Sequence, residues 1–291
     1  MGEAKRRRES DPFFGKPNRG LVVSPPIEID GGSVFVRSSQ IDPQELRYAL
    51  LFWDKLAWPS NNAIYMEPDA DAQFLESIGI LSRPAFRFNG MGSDIMLRTQ
   101  VQAWRDLDAK EPGNWALSQG ENSFLVRNQI LTEGNGTSFT LHRAIPVPDK
   151  TVPLADILDF RAKRADELFT LRETIEAMAA QIVKAENQQE EFTKQVSILD
   201  RHCSDVLKVA RELPFPIRLT NVKVSLDLKP NTAFGALLAS YVDPIGMPMV
   251  SAAIVGAAAS FRISGDFGLA RRSQRIGPYR YVYSFAKELF P

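Results

Sequence analysis

Leu168-Phe169-Thr170-Leu171-Arg172-Glu173-Thr174-Ile175-Glu176-Ala177-Met178-Ala179-Ala180-Gln181-Ile182 sets apolar side chains three and four positions apart. The stripe continues through Ala185, Gln189, Phe192, Val196, Leu199, Cys203, Val206, Ala210 and Leu213, and every member except Gln189 is apolar or small. Neither glycine nor proline interrupts the chain from Leu154 to Leu213. Alternating spacings of three and four place such positions on one face of an α-helix, and about six repeats make a coiled-coil-like seam. One straight helix over this segment would reach about 90 Å, at roughly 1.5 Å per residue. A stripe of that length needs a second helix to lie against. The polar run from Lys184 to Glu191 offers a place to fold back, and otherwise a second copy of the chain supplies the partner. The interaction seam is therefore read as Leu168, Leu171, Ile175, Met178, Ile182, Gln189, Phe192, Val196, Leu199 and Val206, with Gln189 setting register. Cys203 falls on the same stripe and reads as a buried filler.

Upstream, the pattern is that of a mixed α/β unit over residues 19–150, preceded by a charged tail, 1–18, expected to be mobile. Leu21-Val22-Val23 is a short strand stopped by Pro25-Pro26, and Ser33 to Val36 is a second one after the Gly31-Gly32 turn. Asp42-Pro43 pairs an N-cap residue with proline at the first helical position. The helix it opens carries Leu46, Leu50, Trp53 and Leu56 on one face and is expected to run to Pro59. Trp53 would bury that face while Asp54 pairs with a cation. Ala63 to Met66 reads as a strand, Asp69 to Ile78 as an acidic helix ended by Gly79, and Asp94 to Ala109 as a helix burying Ile95, Leu97, Val101 and Trp104. Phe124 to Leu131 and Ser138 to Ile145 read as a hairpin turned at Gly134-Asn135-Gly136.

Downstream, residues 217–291 read as a C-terminal element packing on the first domain. Val222 to Leu228 alternates as a strand. Ala233 to Phe261 is charged only at Asp243, and Pro244 and Pro248 cut it into two arms, each shorter than the ~20 residues that span a bilayer. Ala252, Gly256 and Ser260 fall at helical spacing, which suits close packing of a helix pair. The basic residues Arg271, Arg272 and Arg275 follow, and the alternation of Tyr279, Tyr281, Tyr283 and Phe285 predicts a strand. The fold class is thus α+β: a mixed α/β unit, a long helical segment (154–213), and C-terminal strands with an apolar helix pair.

Composition narrows the chemistry. Lys plus Arg and Asp plus Glu are 35 each among 291 residues, so no global field draws the chain to nucleic acid or membrane. The Lys5-Arg6-Arg7-Arg8 run has no interleaved aromatics and reads as a solvated tail. One cysteine and no apolar leader fit a reducing, cytoplasmic setting. His142 and His202 are the only histidines, and His202 and Cys203, being adjacent on a helix, point about 100° apart. No Walker, zinc or serine-elbow spacing occurs, and Asp266-Phe267-Gly268 lacks the rest of a kinase. Glu67, Asp69 and Asp71 could ligate Mg²⁺, but acids there more commonly form the first turn of a helix. No catalytic residue, metal site or cofactor is assigned.

Arg19-Gly20-Leu21-Val22-Val23-Ser24-Pro25, Leu51-Phe52-Trp53-Asp54-Lys55-Leu56, Ile145-Pro146-Val147-Pro148 and Ile157-Leu158-Asp159-Phe160-Arg161 together resemble an uncharacterised bacterial family, a domain of unknown function. That family tends to show Tyr-Trp-Asp where this chain has Phe52-Trp53-Asp54. The resemblance brings no catalytic residues, and it implies a setting among bacterial accessory or anti-phage genes. The leading expectation is a non-enzymatic cytoplasmic interaction or scaffold protein, with a protein partner or a second copy on its helical arm. The alternatives are a membrane-perturbing effector using residues 233–261, with Ala252, Gly256, Ser260, Arg271, Arg272 and Arg275 as membrane or partner contacts, and a carboxylate-dependent nuclease or hydrolase.

Overall fold

In a computed structural model of the chain, the described residues are 18–30, 33–89, 95–112, 114–118, 123–127, 137–141, 150–187, 190–191, 194–195, 197–198, 201–202, 222–226, 277 and 279–289. Four short strands form the central sheet: β1 (Gly20–Val22), β4 (Lys55–Ala57), β6 (Leu81–Ser82) and β8 (Trp115–Leu117). They lie side by side as β6-β4-β1-β8, and all three ladders are parallel. Helices α1 (Pro43–Phe52), α2 (Ala70–Ser77) and α3 (Ile95–Lys110) are the successive connections. A parallel pair needs a crossover, and here each crossover is a helix with one apolar face. The strands are correspondingly buried, with Leu21, Val22, Leu56, Ala57, Ala116 and Leu117 all in the core.

Local signals explain where these helices begin and end. Asp42 accepts hydrogen bonds from the Gln44 and Glu45 amides, and Pro43 needs no amide partner. Asp69 caps α2 through the Ala72 amide, and Gly79, at φ +76°, turns the chain out of it. On α3, Ile95, Leu97, Val101 and Trp104 are buried as their spacing predicts.

Beyond its last shared bond, Val23 N–H to the Ala57 carbonyl (2.8 Å), the sheet splits. On one side β2 (Ile27–Asp30) continues from β1 and pairs with β9 (Phe124–Arg127) in parallel and with β3 (Ser33–Val36) antiparallel. On the other, β5 (Ser60–Asn61) continues from β4 and pairs with β7 (Ala85–Phe86). Prolines stand at three of the breaks: Pro25 and Pro26 after β1, Pro59 after β4, and Pro84 after β6. Each lacks an amide donor, so the ladder cannot continue straight through it.

Several sequence expectations are corrected. The first helix stops at Phe52 and not Pro59; Leu56 belongs to strand β4, where it is fully buried. The apolar spacing that reads as one helix is therefore a helix followed by a strand packed on the same core. Ala63 to Met66 is not a strand, because the Asn61 side chain accepts the Ala63 and Ile64 amides and withdraws them from any ladder. The hairpin does not form either. β9 pairs with β2, while β10 (Thr137–Leu141) pairs antiparallel with β11 (Val222–Leu226). Long-range pairing wins over the turn residues between them.

The long helical segment is not continuous. It comprises α4 (Leu154–Lys163) and α5 (Ala165–Lys184), which part at Arg164, and the chain leaves the helix again at Ala185–Asn187. Gln195 Nε2 then donates to Gln181 Oε1 at 2.6 Å. Fourteen positions along a straight helix would separate these residues by about 21 Å. The contact requires the chain to reverse between Gln181 and Gln195. Finally, Arg280–Glu288 is a helix, α6, and not a strand. Tyr281 and Ser284, three apart, are buried, and the helix lies on α5; over so short a run the tyrosine alternation fits either period.

Under the sheet's amino ends, Glu111 accepts from Lys55 Nζ (2.6 Å) and from the Trp115 indole (3.0 Å). The Lys55 hydrogen bond, helped by Trp115, holds the Glu111 carboxyl below its usual range against a smaller opposing effect of burial. A lowered folded-state value means the contribution is present above the unfolded value of about 4.3 and is lost as pH falls through the folded one. Glu111→Gln should therefore flatten the loss of stability below about pH 5, measured by urea unfolding across a pH series. Parallel curves for the two proteins would contradict it.

Candidate functional site

Helix α1 ends in a site built entirely from distant side chains. An α-helix leaves its last carbonyls without intrahelical donors. Here Trp53 N–H closes on the Ala49 carbonyl, and the next four oxygens are met one by one. Arg161 of α4 donates to the Leu50 carbonyl at 2.9 Å and also to that of Trp53. The Tyr281 hydroxyl of α6 donates to Leu51 at 2.6 Å. Arg172 of α5 donates to Phe52 at 2.5 Å. Two guanidinium groups and a phenol thus sit at the negative end of the helix dipole.

Asp54 completes the cluster. Its Oδ2 accepts from Arg172 Nη1 and from the Arg19 amide, both at 2.8 Å. The Asp54 and Arg172 side chains are 7% and 14% exposed, so the pair is largely out of water. Burial pushes the Arg161 guanidinium below its usual value, with Asp54 the main opposing influence, and burial raises the Tyr281 phenol. Phe52 and Phe160 flank the Tyr281 ring at centroid distances of 6.0 and 5.3 Å. Around it, Glu167 accepts from Arg164, Arg280 and Ser284, and Arg164 also pairs with Glu288. The cluster binds the α/β unit, the helical segment and the C-terminal helix into one body. Its described contacts bring donors from α4, α5 and α6 to the carbonyls of α1 and to Asp54.

A second polar group lies where the sheet splits. Ser123 donates to Ser118 (2.9 Å) and Ser118 to Glu45 Oε1 (3.2 Å), and all three side chains are buried. Ser24, 1% exposed, donates to the Pro25 carbonyl. Carboxyl ends of parallel strands are the usual place for ligands in open α/β sheets. Here the Ser118 and Ser123 hydroxyls tie the end of β8 to the start of β9 and, through Glu45, to α1, while that of Ser24 closes locally.

The seam residues divide. Leu168 and Leu171 are buried in the common core and Met178 packs against it, so the first turns of the stripe face the body and not another copy. Ile175 and Ile182 lie on α5. Gln189, Phe192, Val196, Leu199, Cys203 and Val206 lie outside the described residues, as do Ala252, Gly256 and Ser260 with the rest of 233–261, and Arg271, Arg272 and Arg275. Among the described residues no helix is long and apolar enough to cross a membrane. The acids do not gather: Asp69 caps α2, Asp71 pairs with Arg47 at 2.9 Å, and Glu67 is exposed. No group of three metal-ligating side chains occurs among the described residues.

Sequence reasoning marked Asp54 as a carboxylate seeking a cation but missed Arg161, Arg172 and Tyr281. A signal existed. Three of the quoted motifs, around Arg19, Trp53-Asp54 and Phe160-Arg161, meet in this one cluster. The model of a family of unknown function, DUF6236, matches residues 28–290. No curated protein and no solved structure matches the chain.

Proposed function

The chain belongs to the family of unknown function DUF6236, and from that premise we propose that it is a non-enzymatic interaction protein that presents a helical hairpin to a partner protein. The observation that carries this reading is the reversal marked by Gln195 and Gln181, on a helix whose base is locked into the body by Leu168, Leu171 and the Arg172–Asp54 pair. A rooted arm has a defined orientation, which lowers the entropy lost when its outer end is gripped. That outer end exposes Lys184, Glu186, Asn187, Glu190 and Lys194. Asp42 and Asp69 serve as helix caps, and Asp54, Asp71, Glu111 and Glu167 sit in ion pairs, roles that suit a binding protein. A bacterial accessory or anti-phage role belongs to the same proposal and rests on the motif resemblance alone.

With Leu168 and Leu171 taken up by the protein's own core, light scattering should return the mass of one copy. In capture from an extract of the native host, the partner should be lost when Lys184, Glu186, Glu190 and Lys194 are charge-reversed together, with the melting temperature unchanged. Equal capture by both proteins would defeat the proposal.

A further inference from the structure

Beyond the hairpin, one strip of surface joins aromatic rings to arginines at the carboxyl ends of β4 and β6. The loop 62–66 runs beside residues 83–88 in the opposite direction. Asn62 exchanges two hydrogen bonds with the Phe88 backbone, at 3.2 and 2.9 Å, and Arg83 Nη2 donates to the Met66 carbonyl at 2.8 Å. Tyr65 stands out from this loop, 75% exposed. The Arg83 guanidinium lies 4.1 Å from the centroid of the buried Trp58 ring, and that of Arg98 lies 4.9 Å over Phe88. Phe88 stacks on Phe86 at 6.4 Å and 29°, and Arg87 between them is exposed.

Arg83 and Arg87 differ from the ion-paired arginines of the fold. Arg37, Arg47, Arg164, Arg172 and Arg280 each meet a carboxylate: Glu28, Asp71, Glu167 with Glu288, Asp54 and Glu167. Arg83 and Arg87 are in no ion pair among the described residues. Arg83 is nonetheless partly withdrawn from water, enough for burial to lower its pKa while Tyr65 and Glu76 oppose. A desolvated cation costs free energy that a paired anion offsets, and here the stack on Trp58 and one carbonyl take that place. The group is fixed in direction, and although Glu76 favours its charge from a distance, no ion pair among the described residues holds it. A planar guanidinium so held suits phosphate oxygens, and a bare tyrosine face suits an unpaired base. Free nucleotides favour concave pockets that bury most of the ligand, whereas Tyr65 projects from an open surface.

We propose that this strip binds single-stranded nucleic acid, with backbone phosphates on Arg83 and Arg87 and one base stacked on Tyr65. The net charge of the chain is zero, so attraction is local and the contact is short. Two or three phosphate contacts imply a log–log salt dependence of about −1.4 to −2 for a single strand. A duplex keeps its bases stacked internally and cannot use Tyr65.

Fluorescence anisotropy of a labelled fifteen-nucleotide oligo-dT against the full chain tests this. Saturable binding with that salt slope is expected, weaker for a duplex of equal length. Tyr65→Ala should weaken it about tenfold or more. Arg87→Glu should weaken it comparably, and as an exposed position it should leave the melting temperature unchanged. Changing Lys5, Arg6, Arg7 and Arg8 to glutamine should leave binding intact. The proposal is overturned by absence of saturable binding at low salt, by unchanged affinity in Tyr65→Ala and Arg87→Glu, by equal competition from heparin or duplex, or by loss only in the N-terminal variant.

Discussion

Asp54→Ala is expected to destabilise the protein by about 3–5 kcal/mol, the usual consequence of removing one partner of a buried ion pair. The Asp54 carboxylate is nearly inaccessible, and losing it leaves Arg172 and the neighbouring Arg161 with cationic charge in a buried setting. The Arg19 amide loses its acceptor as well. At roughly 2–4 °C per kcal/mol for a chain of this size, the melting temperature should fall by about 10 °C. Arg172→Met alone should also be costly, because the Phe52 carbonyl then lacks its donor. The double variant should cost less than the sum of the two, since neither charge is then stranded. Strict additivity in denaturant unfolding, or a loss below about 1 kcal/mol for Asp54→Ala, would show that the pair does not hold the body together.

Gly20→Ala should be the next most damaging substitution. In the β1–β8 ladder Gly20 faces Trp115, and an added Cβ would stand 2.4 Å from two carbons of the indole. The ring cannot swing aside freely: its N–H donates to Glu111, and its own backbone carbonyl accepts from the Trp104 indole at 3.0 Å. Overpacking of this kind costs about 1–3 kcal/mol, and the upper part of that range is expected where backbone and ring are both tied. Trp115→Leu clears the space, so the double variant Gly20→Ala, Trp115→Leu should be more stable than the two separate losses predict. A Gly20→Ala protein as stable as the parent would show that the strands part easily at this point.

How much of this was readable beforehand follows from the range of each interaction. Helix starts were legible because their causes are local: Asp42 with Pro43, and Asp69 three residues before the amide it caps. Core positions on α3 were legible because a helix repeats its burial every three to four residues. Strand Ala63 to Met66 failed because a single side chain, Asn61, redirected two amides. The tyrosine-rich C-terminal run failed because alternation over a few residues fits two periods, and the choice is made by the surface it packs on.

By itself, the sequence determined the alternation of strands and helices, the apolar stripe beginning at Leu168, and the need for that stripe to be covered. What covers its start was decided only in three dimensions: the protein's own core at Leu168 and Leu171, with the chain reversing between Gln181 and Gln195. The parallel order of the central strands and the capping of α1 by Arg161, Arg172 and Tyr281 belong to the same class. Partners separated by more than a hundred residues leave no local pattern, because a hydrogen bond depends on where two groups meet in space and not on their distance along the chain.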